Sequence, residues 1–468
     1  MPTPRLRVAI VGAGPAGIYA ADILAESGLD VAIDLFERLP APFGLVRYGV
    51  APDHPRIKGI VNSLYKILQR GHIRLIGNVD IGADLSVAEL REQYDALIFA
   101  TGAIRDADLN IPGVDKRGSF GAADFVSWFD GHPDVPRTWP LEAQQVAVIG
   151  NGNVALDVAR MLAKHVRDLM STEIPQNVAE GLAASPVTDV HIFGRRGPAQ
   201  SKFTPLELRE LGRVPDVDVV VYPEDFEFDD ASEEAIEASN QTRQVVKALT
   251  DWTMRDPEEM TASRRIHLHF LHRPVEILGE DVVTGLRTER TELVGDGSVR
   301  GTGRFEEFDV QAVYRAVGYF GSPIPDIPFD PVAGVIPNEA GRVLDEHGEH
   351  IAGLYATGWI KRGPVGLIGH TKSDAKETIT NLVEDLTAAA QAGTARGADE
   401  DEILERLRAD GVPYTTWNGW ELLDAHERAL GEAEGRERVK VVPREEMTQI
   451  SRATELAQAG IDPTSPAG

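Results

Sequence analysis

Two stretches of the chain repeat one pattern. A short run of consecutive apolar residues is followed by a glycine-rich break, then by a segment with apolar residues at helical spacing. The first is LRVAIV (6–11), the turn Gly12-Ala13-Gly14-Pro15-Ala16-Gly17, and IYAADILAE (18–26). The second is QVAVIG (145–150), the turn Gly150-Asn151-Gly152-Asn153-Val154-Ala155, and LDVARMLAKHVRDLM (156–170). Unbroken apolar runs of this length read as strands buried on both faces, as in a parallel sheet. Three further strands are predicted at VAIDLFE (31–37), YDALIFATGA (94–103) and DVHIFGRR (189–196). The stretch 171–188 reads as an insertion, and 411–442 as a Trp-bearing loop, a helix and a closing strand. The pattern predicts an α/β protein with two Rossmann-like, doubly wound domains.

The glycines specify what the turns can hold. In GxGxxG the first glycine permits the tight turn. The second lets backbone approach a pyrophosphate, and the third lets helix and strand pack closely. In the first turn these are Gly12, Gly14 and Gly17, and the pyrophosphate meets the positive end of the helix. Glu37 stands 20 residues after Gly17, where an acid holds ribose hydroxyls and repels a 2′-phosphate. This suits FAD or NAD. The long Gly- and Pro-rich segment 38–60 then favours FAD, because a flavin needs a long loop to cradle its ring, and Ala100-Thr101-Gly102 closes such a fold. A glycine turn without ligand is the plain alternative, made poor by the flanking strand, helix and acid.

The second turn is the GxGxxA variant, and its following strand leads to Arg195-Arg196 rather than to an acid. Two guanidiniums there can pair with the 2′-phosphate of NADPH. A surface arginine pair is the alternative.

Composition removes several classes. With 468 residues and 42% hydrophobic content the chain can build two to three cores. The absence of cysteine excludes disulfides, a cysteine-ligated iron–sulfur cluster and a redox-active dithiol. A net charge of −27 disfavours nucleic-acid binding. Much of the acid lies in 223–236 and 398–405, which read as solvated surface. Neither a signal peptide nor a membrane span is expected, so the chain is expected to be cytoplasmic. The twelve histidines show no compact ligand spacing, and no metal is expected.

The turns, the acid and the arginine pair, with GPAGIYAA, LVRYGVAPDHPRIK, GNGNVALDVAR, GRRGPAQSKFTPLELREL and TGWIKRGPVGLIG, make the sequence resemble the adrenodoxin-reductase-like ferredoxin–NADP+ reductases, above all their bacterial members. The resemblance covers roughly residues 6–385. It implies that Ala16, Glu37, Leu45 and Val79 (or Ile81, in a shifted register) contact FAD. Trp359, Gly366, Leu367 and Ile368 then lie along its ring and ribityl chain. Asn151, Gly152, Asn153 and Val154 hold the NADP pyrophosphate, Arg195 and Arg196 its 2′-phosphate, and Glu207 its nicotinamide-side ribose. Gly366 faces both cofactors. His54 and Glu210 match a His and a Glu that the family places near the flavin, in a supporting role. For His54 the alternative is a loop histidine satisfied by backbone.

The resemblance further implies the reaction: hydride from NADPH to FAD N5, then single electrons to a ferredoxin-type iron–sulfur protein that docks transiently on a monomer or weak dimer. That partner is acidic, so basic residues must offset this chain's own charge. Lys202, Arg209, Arg213, Lys361 and Arg362 are the candidates. Motif order predicts an NADP domain (108–320) inserted into a discontinuous FAD domain (1–107 and 321–468, with a C-terminal extension from about 385). The alternatives are an NADPH-dependent flavin monooxygenase, whose usual FxGxxxHxxx[WF] motif is missing, and a diaphorase with a non-ferredoxin acceptor.

Overall fold

The computed structural model describes residues 5–365, 368–393 and 401–458. The chain forms two compact units. One comprises residues 1–105, 132–134 and 319–468, the other 106–131 and 135–318.

In the first unit the fully buried strand Leu6–Val11 lies inside a seven-stranded sheet. The spatial order is Asn338–Glu339, Arg342–Leu344, His350–Ala356, Ala96–Phe99, Leu6–Val11, Val31–Glu37, Arg74–Gly77. From His350–Ala356 onward every pairing is parallel, and the two strands before it add an antiparallel edge. One face carries Val8, Ile10, Ile33 and Leu35 against helices Pro15–Ala25 and Ile368–Ala392. The other carries Ala9, Val11, Phe36 and Phe99 in a second apolar cluster. A strand buried on both faces reads as a near-continuous apolar run, as Leu6–Val11 does at all but one position.

The run hides one exception. Arg7 is 1% exposed, lies over the Tyr94 ring and pairs with buried Asp34, which also binds Arg74 and the Tyr94 hydroxyl. A charge at such depth persists only when paired and hydrogen-bonded.

The second unit has a six-stranded, all-parallel sheet in the order Ser119–Gly121, Ala312–Arg315, Gln145–Ile149, Asp189–Phe193, Arg264–His269, Val217–Val221. A three-stranded antiparallel sheet, His272–Leu278, Gly285–Leu293 and Val299–Phe308, is attached to the same unit.

Local boundaries depart from expectation for identifiable reasons. The first helix begins at Pro15 rather than residue 18, since proline at the first helical position loses no hydrogen bond. The strand expected over 94–103 spans only Ala96–Phe99. The second helix stops at Ala163, where Lys164 turns extended, instead of running to 170. The insertion 171–188 carries its own helix, Gln176–Ala184. Helix Trp417–Ala433 forms as expected, but the closing strand does not: Val439 and Val441 donate their N–H groups to the backbone and carboxylate of Glu427. The acidic run 223–236 is not all surface, because Asp225 is 1% exposed and paired with Arg290. No described helix is long and apolar enough to cross a membrane.

Candidate functional site

The turn after Leu6–Val11 is shaped by its glycines. Gly12 has φ +111°, and a Cβ there would lie 2.5 Å from the Ala100 carbonyl oxygen. A Cβ on Gly17 would lie 1.9 Å from the Gly12 oxygen. A Cβ on Gly14 would lie 3.8 Å from the Gly44 Cα, an ordinary contact, so only glycine backbone lies against this position. Gly14 is also the N-cap of helix Pro15–Ala25 and offers no side chain to its first N–H groups. A helix start left uncapped beside glycine backbone suits a phosphate.

Glu37 ends the neighbouring strand and is nearly buried. Its Oε2 accepts the Ala13 N–H at 2.9 Å and its Oε1 the Leu39 N–H at 3.1 Å. Burial raises its pKa above the usual carboxylate range, against those two hydrogen bonds. Each oxygen keeps a further lone pair for a diol. Two residues beyond strand Ala96–Phe99, Thr101 has a buried hydroxyl with no hydrogen-bond partner among the described residues. Such a group costs about 1–3 kcal/mol unless something else satisfies it. The side-chain-free helix start at Gly14, the Glu37 carboxylate and the orphaned hydroxyl fit a dinucleotide.

Other expected contacts in this unit fall as follows. Ala16 and Leu45 are half-buried. Val79 is 1% exposed and its side chain belongs to the apolar core, so its backbone alone could meet a ligand, and Ile81 is buried likewise. Gly102 has φ +74° with open space around it. Trp359 is half-buried at the start of helix Trp359–Arg362. Gly366 and Leu367 lie outside the described residues, as does the side chain of Ile368, whose backbone opens helix Ile368–Ala392. His54 is buried, and its carbonyl starts helix Pro55–Lys58.

One group was missed in the sequence. Asp374 accepts the Gly358 N–H at 2.5 Å and the Thr357 hydroxyl at 3.1 Å, and pairs with Lys361 and Arg362. It fixes the turn before Trp359, where Gly358 (φ +74°) could not carry a Cβ without meeting that of Ala16 at 2.6 Å. Its only signal was position, one acid inside a long helix. The same network corrects an expectation. Lys361 is buried and paired with Asp374 and Glu377, and Arg362 is half-buried on Asp374. Neither is a free docking cation.

In the second unit Gly150 (φ +155°) would set a Cβ 2.3 Å from the Ala316 oxygen, whereas Gly152 has open space above it. Gly152 caps helix Asn153–Ala163 without a side chain. Residues 201–204 run beside this turn: the Asn151 oxygen accepts the Lys202 N–H, and Asn153 Oδ1 accepts the Thr204 N–H at 2.9 Å. Strand Asp189–Phe193 stops short of Arg195 and Arg196, which sit in the loop beyond it. Their backbone oxygens accept the Thr291 hydroxyl and the Leu271 N–H, which fixes the loop. Neither guanidinium meets a carboxylate among the described residues, and Arg195 is exposed. Glu207 is buried on helix Pro205–Leu211 and lies 4.0 Å from Arg160, while Glu210 is half-buried one turn on. Lys202, Arg209 and Arg213 are exposed.

Comparison with known proteins gives concordant results. Residues 6–195 match the family described as pyridine nucleotide-disulphide oxidoreductase. The chain is 42% identical over 456 residues to the NADPH-ferredoxin reductase FprA of Mycobacterium tuberculosis H37Rv, covering 95% of this chain and 98% of that protein. It is 37% identical over 462 residues to the mitochondrial NADPH:adrenodoxin oxidoreductase of Arabidopsis thaliana, covering 94% of each. The solved structure of M. tuberculosis FprA in complex with NADPH superposes with a TM-score of 0.88 at 40% identity, covering 95% of this chain and 99% of that one.

Proposed function

The chain belongs to the adrenodoxin-reductase-like ferredoxin–NADP+ reductases, and from that premise we propose that it is an FAD-dependent enzyme that oxidises NADPH and reduces a one-electron, ferredoxin-type carrier. The observation that carries this reading is the pair of glycine turns that start uncapped helices, one finished by Glu37 and the other by Arg195 and Arg196. FAD, when bound, supplies the conversion between a two-electron hydride and single electrons.

The chain's own residues bind and orient. The Gly14 and Ala16 N–H groups would hold the flavin dinucleotide's pyrophosphate, Glu37 and Thr101 its hydroxyl groups, and Trp359, on the turn fixed by Asp374, its ring. Leu45, the Val79 backbone, Gly102 and residues 366–368 complete that set. Asn151–Val154 hold the NADPH pyrophosphate. Arg195 and Arg196 grip its 2′-phosphate, and Glu207 its ribose. His54 and Glu210 are assigned to water and proton positioning, since hydride transfer needs no general base.

Without cysteine the chain has no dithiol to take the electrons onward, so the disulphide chemistry of the broader family is closed to it. An external carrier follows. We assign the chain to the ferredoxin–NADP+ reductase class rather than to the adrenodoxin class. A transient complex of a monomer or weak dimer, in a cytoplasmic setting, belongs to the same proposal. Lys202, Arg209 and Arg213 are its docking cations. The test is anaerobic stoichiometry. Two equivalents of a ferredoxin-type protein reduced per NADPH support the reading, and transfer only to oxygen or dyes sinks it.

A further inference from the structure

The loop that follows the first glycine turn's partner strand is held from below by a part of the chain almost 400 residues away. Phe43 (φ +85°) and Gly44 (φ +50°) both occupy the left-handed region, one of them without the freedom of glycine. The Phe43 N–H bonds the Ala13 oxygen at 2.8 Å, and a Cβ on Gly44 would lie 3.0 Å from the Gly14 Cα. This bend therefore rests directly on the glycine turn. A non-glycine residue at positive φ persists only where its surroundings over-determine it.

The surroundings come from residues 414–447. The buried Arg47 guanidinium, on helix Leu45–Tyr48, makes two parallel hydrogen bonds to Glu427, at 3.0 and 2.5 Å. Glu427 is completely buried on helix Trp417–Ala433 and also accepts from Arg438 and the Val441 N–H, each at 3.0 Å. Lys440 donates to the Arg47 carbonyl at 2.7 Å. Trp420 packs edge-on against Phe43 and carries the Arg47 guanidinium over its ring. A fork-on-carboxylate pair sealed from water fixes both distance and orientation. A buried pair of this kind adds little net stability over an apolar pair but specifies one arrangement.

We propose that Glu427 is a positioning residue for flavin binding: through Arg47 it fixes the Phe43–Gly44 bend against the Gly12–Gly17 turn and so sets the affinity for FAD. The C-terminal segment is thus part of the flavin site's frame rather than a docking element. This rests on the reading that the first turn holds FAD.

The experiment strips flavin from the full-length protein and titrates the apoprotein with FAD, following the quenching of flavin fluorescence. Glu427→Gln keeps volume but removes the charge, and Arg47→Lys keeps charge but removes the fork. Asp385→Asn serves as control, since it breaks the bonds to Arg342 and Tyr355 elsewhere in the same unit. Each variant at the Arg47–Glu427 pair weakens FAD by about tenfold or more, the scale of one lost charge-assisted bond. The control, at comparable loss of apoprotein melting temperature, stays within about twofold. If Glu427→Gln does not fold, Arg47→Lys carries the test. Unchanged FAD affinity in both variants, or equal weakening in the control, overturns the proposal. A wild-type apoprotein that takes up no FAD would instead sink the assignment of the site.

Discussion

The two glycine turns begin alike and are finished differently. Both follow a buried parallel strand and open a helix with no side-chain cap. In the first, the neighbouring strand delivers Glu37 into the turn itself, where both carboxylate oxygens are engaged by backbone N–H groups. In the second, the neighbouring strand ends early and leaves Arg195 and Arg196 on a loop, without carboxylate partners among the described residues. One turn is pre-tied and carries a negative group; the other is open and carries two positive ones. The shared glycine pattern specifies a dinucleotide. The residue after the second strand specifies which one.

The largest effect should come from breaking that distinction in the second turn. Replacing Arg195 and Arg196 together by Leu removes two charge-assisted contacts, worth about 1.5–3 kcal/mol each. The KM for NADPH should then rise roughly a hundredfold or more, while that for NADH changes little. Steady-state kinetics with both nucleotides checks this, and equal effects would refute the 2′-phosphate assignment. Next comes Glu37→Gln, which keeps hydrogen-bonding capacity but removes the charge from the first turn. FAD retention should fall about tenfold with NADPH affinity unchanged, read by flavin release on dilution and by nucleotide titration.

How much of this was legible in the sequence follows the same line. Features set by a few consecutive residues were readable: the glycine turns, Glu37, and the strands whose burial on both faces forces an apolar run. Features made by distant residues were not. Arg7 sits inside an apolar strand because Asp34, Arg74 and Tyr94 surround it. Glu427 and Asp374 look like ordinary helix-surface acids until the fold buries them against Arg47 and Gly358. Lys361 read as a docking cation because a Lys-Arg pair next to a tryptophan carries no mark of burial, and only tertiary contact reveals its ion pairs.

The second unit also carries a built-in response to acid. The second unit stacks His191, His267 and His269 side by side, with His191 and His267 only 4.3 Å apart. Burial pushes His191 down to about 3, and lowers His267 and His269 as well. In the unfolded chain these groups titrate near 6.5. Between those values the unfolded state binds protons that the fold refuses, so their contribution is full above about pH 6.5 and is lost as pH falls. Asp106 acts oppositely: burial raises it to about 6 from 3.8, so its contribution is full below 3.8 and is lost as pH rises through about 6. Burial also raises Asp225, which acts with Asp106, but three histidines outweigh two aspartates, so the second unit should lose stability on acidification from pH 6.5. Urea midpoints across pH should show this, and His191→Gln should flatten the slope.

The smallest effects should be at the surface. Alanine at Lys202, Arg209 or Arg213 should each lower kcat/KM for the protein carrier by about two- to fivefold at low salt and less at high salt. Lys361→Ala should lower the melting temperature and leave the salt dependence of carrier reduction unchanged, as befits a buried, paired cation.

In the proposed reading one chain couples an NADPH-specific turn to a flavin-binding one. Anaerobic stopped-flow mixing of the flavin-loaded protein with NADPH and, separately, with NADH tests it most directly. NADPH should bleach the flavin band rapidly and NADH much more slowly, and the Arg195→Leu/Arg196→Leu protein should lose that preference. A flavin that NADPH fails to bleach, or that both nucleotides bleach alike in the wild type, would contradict this reading.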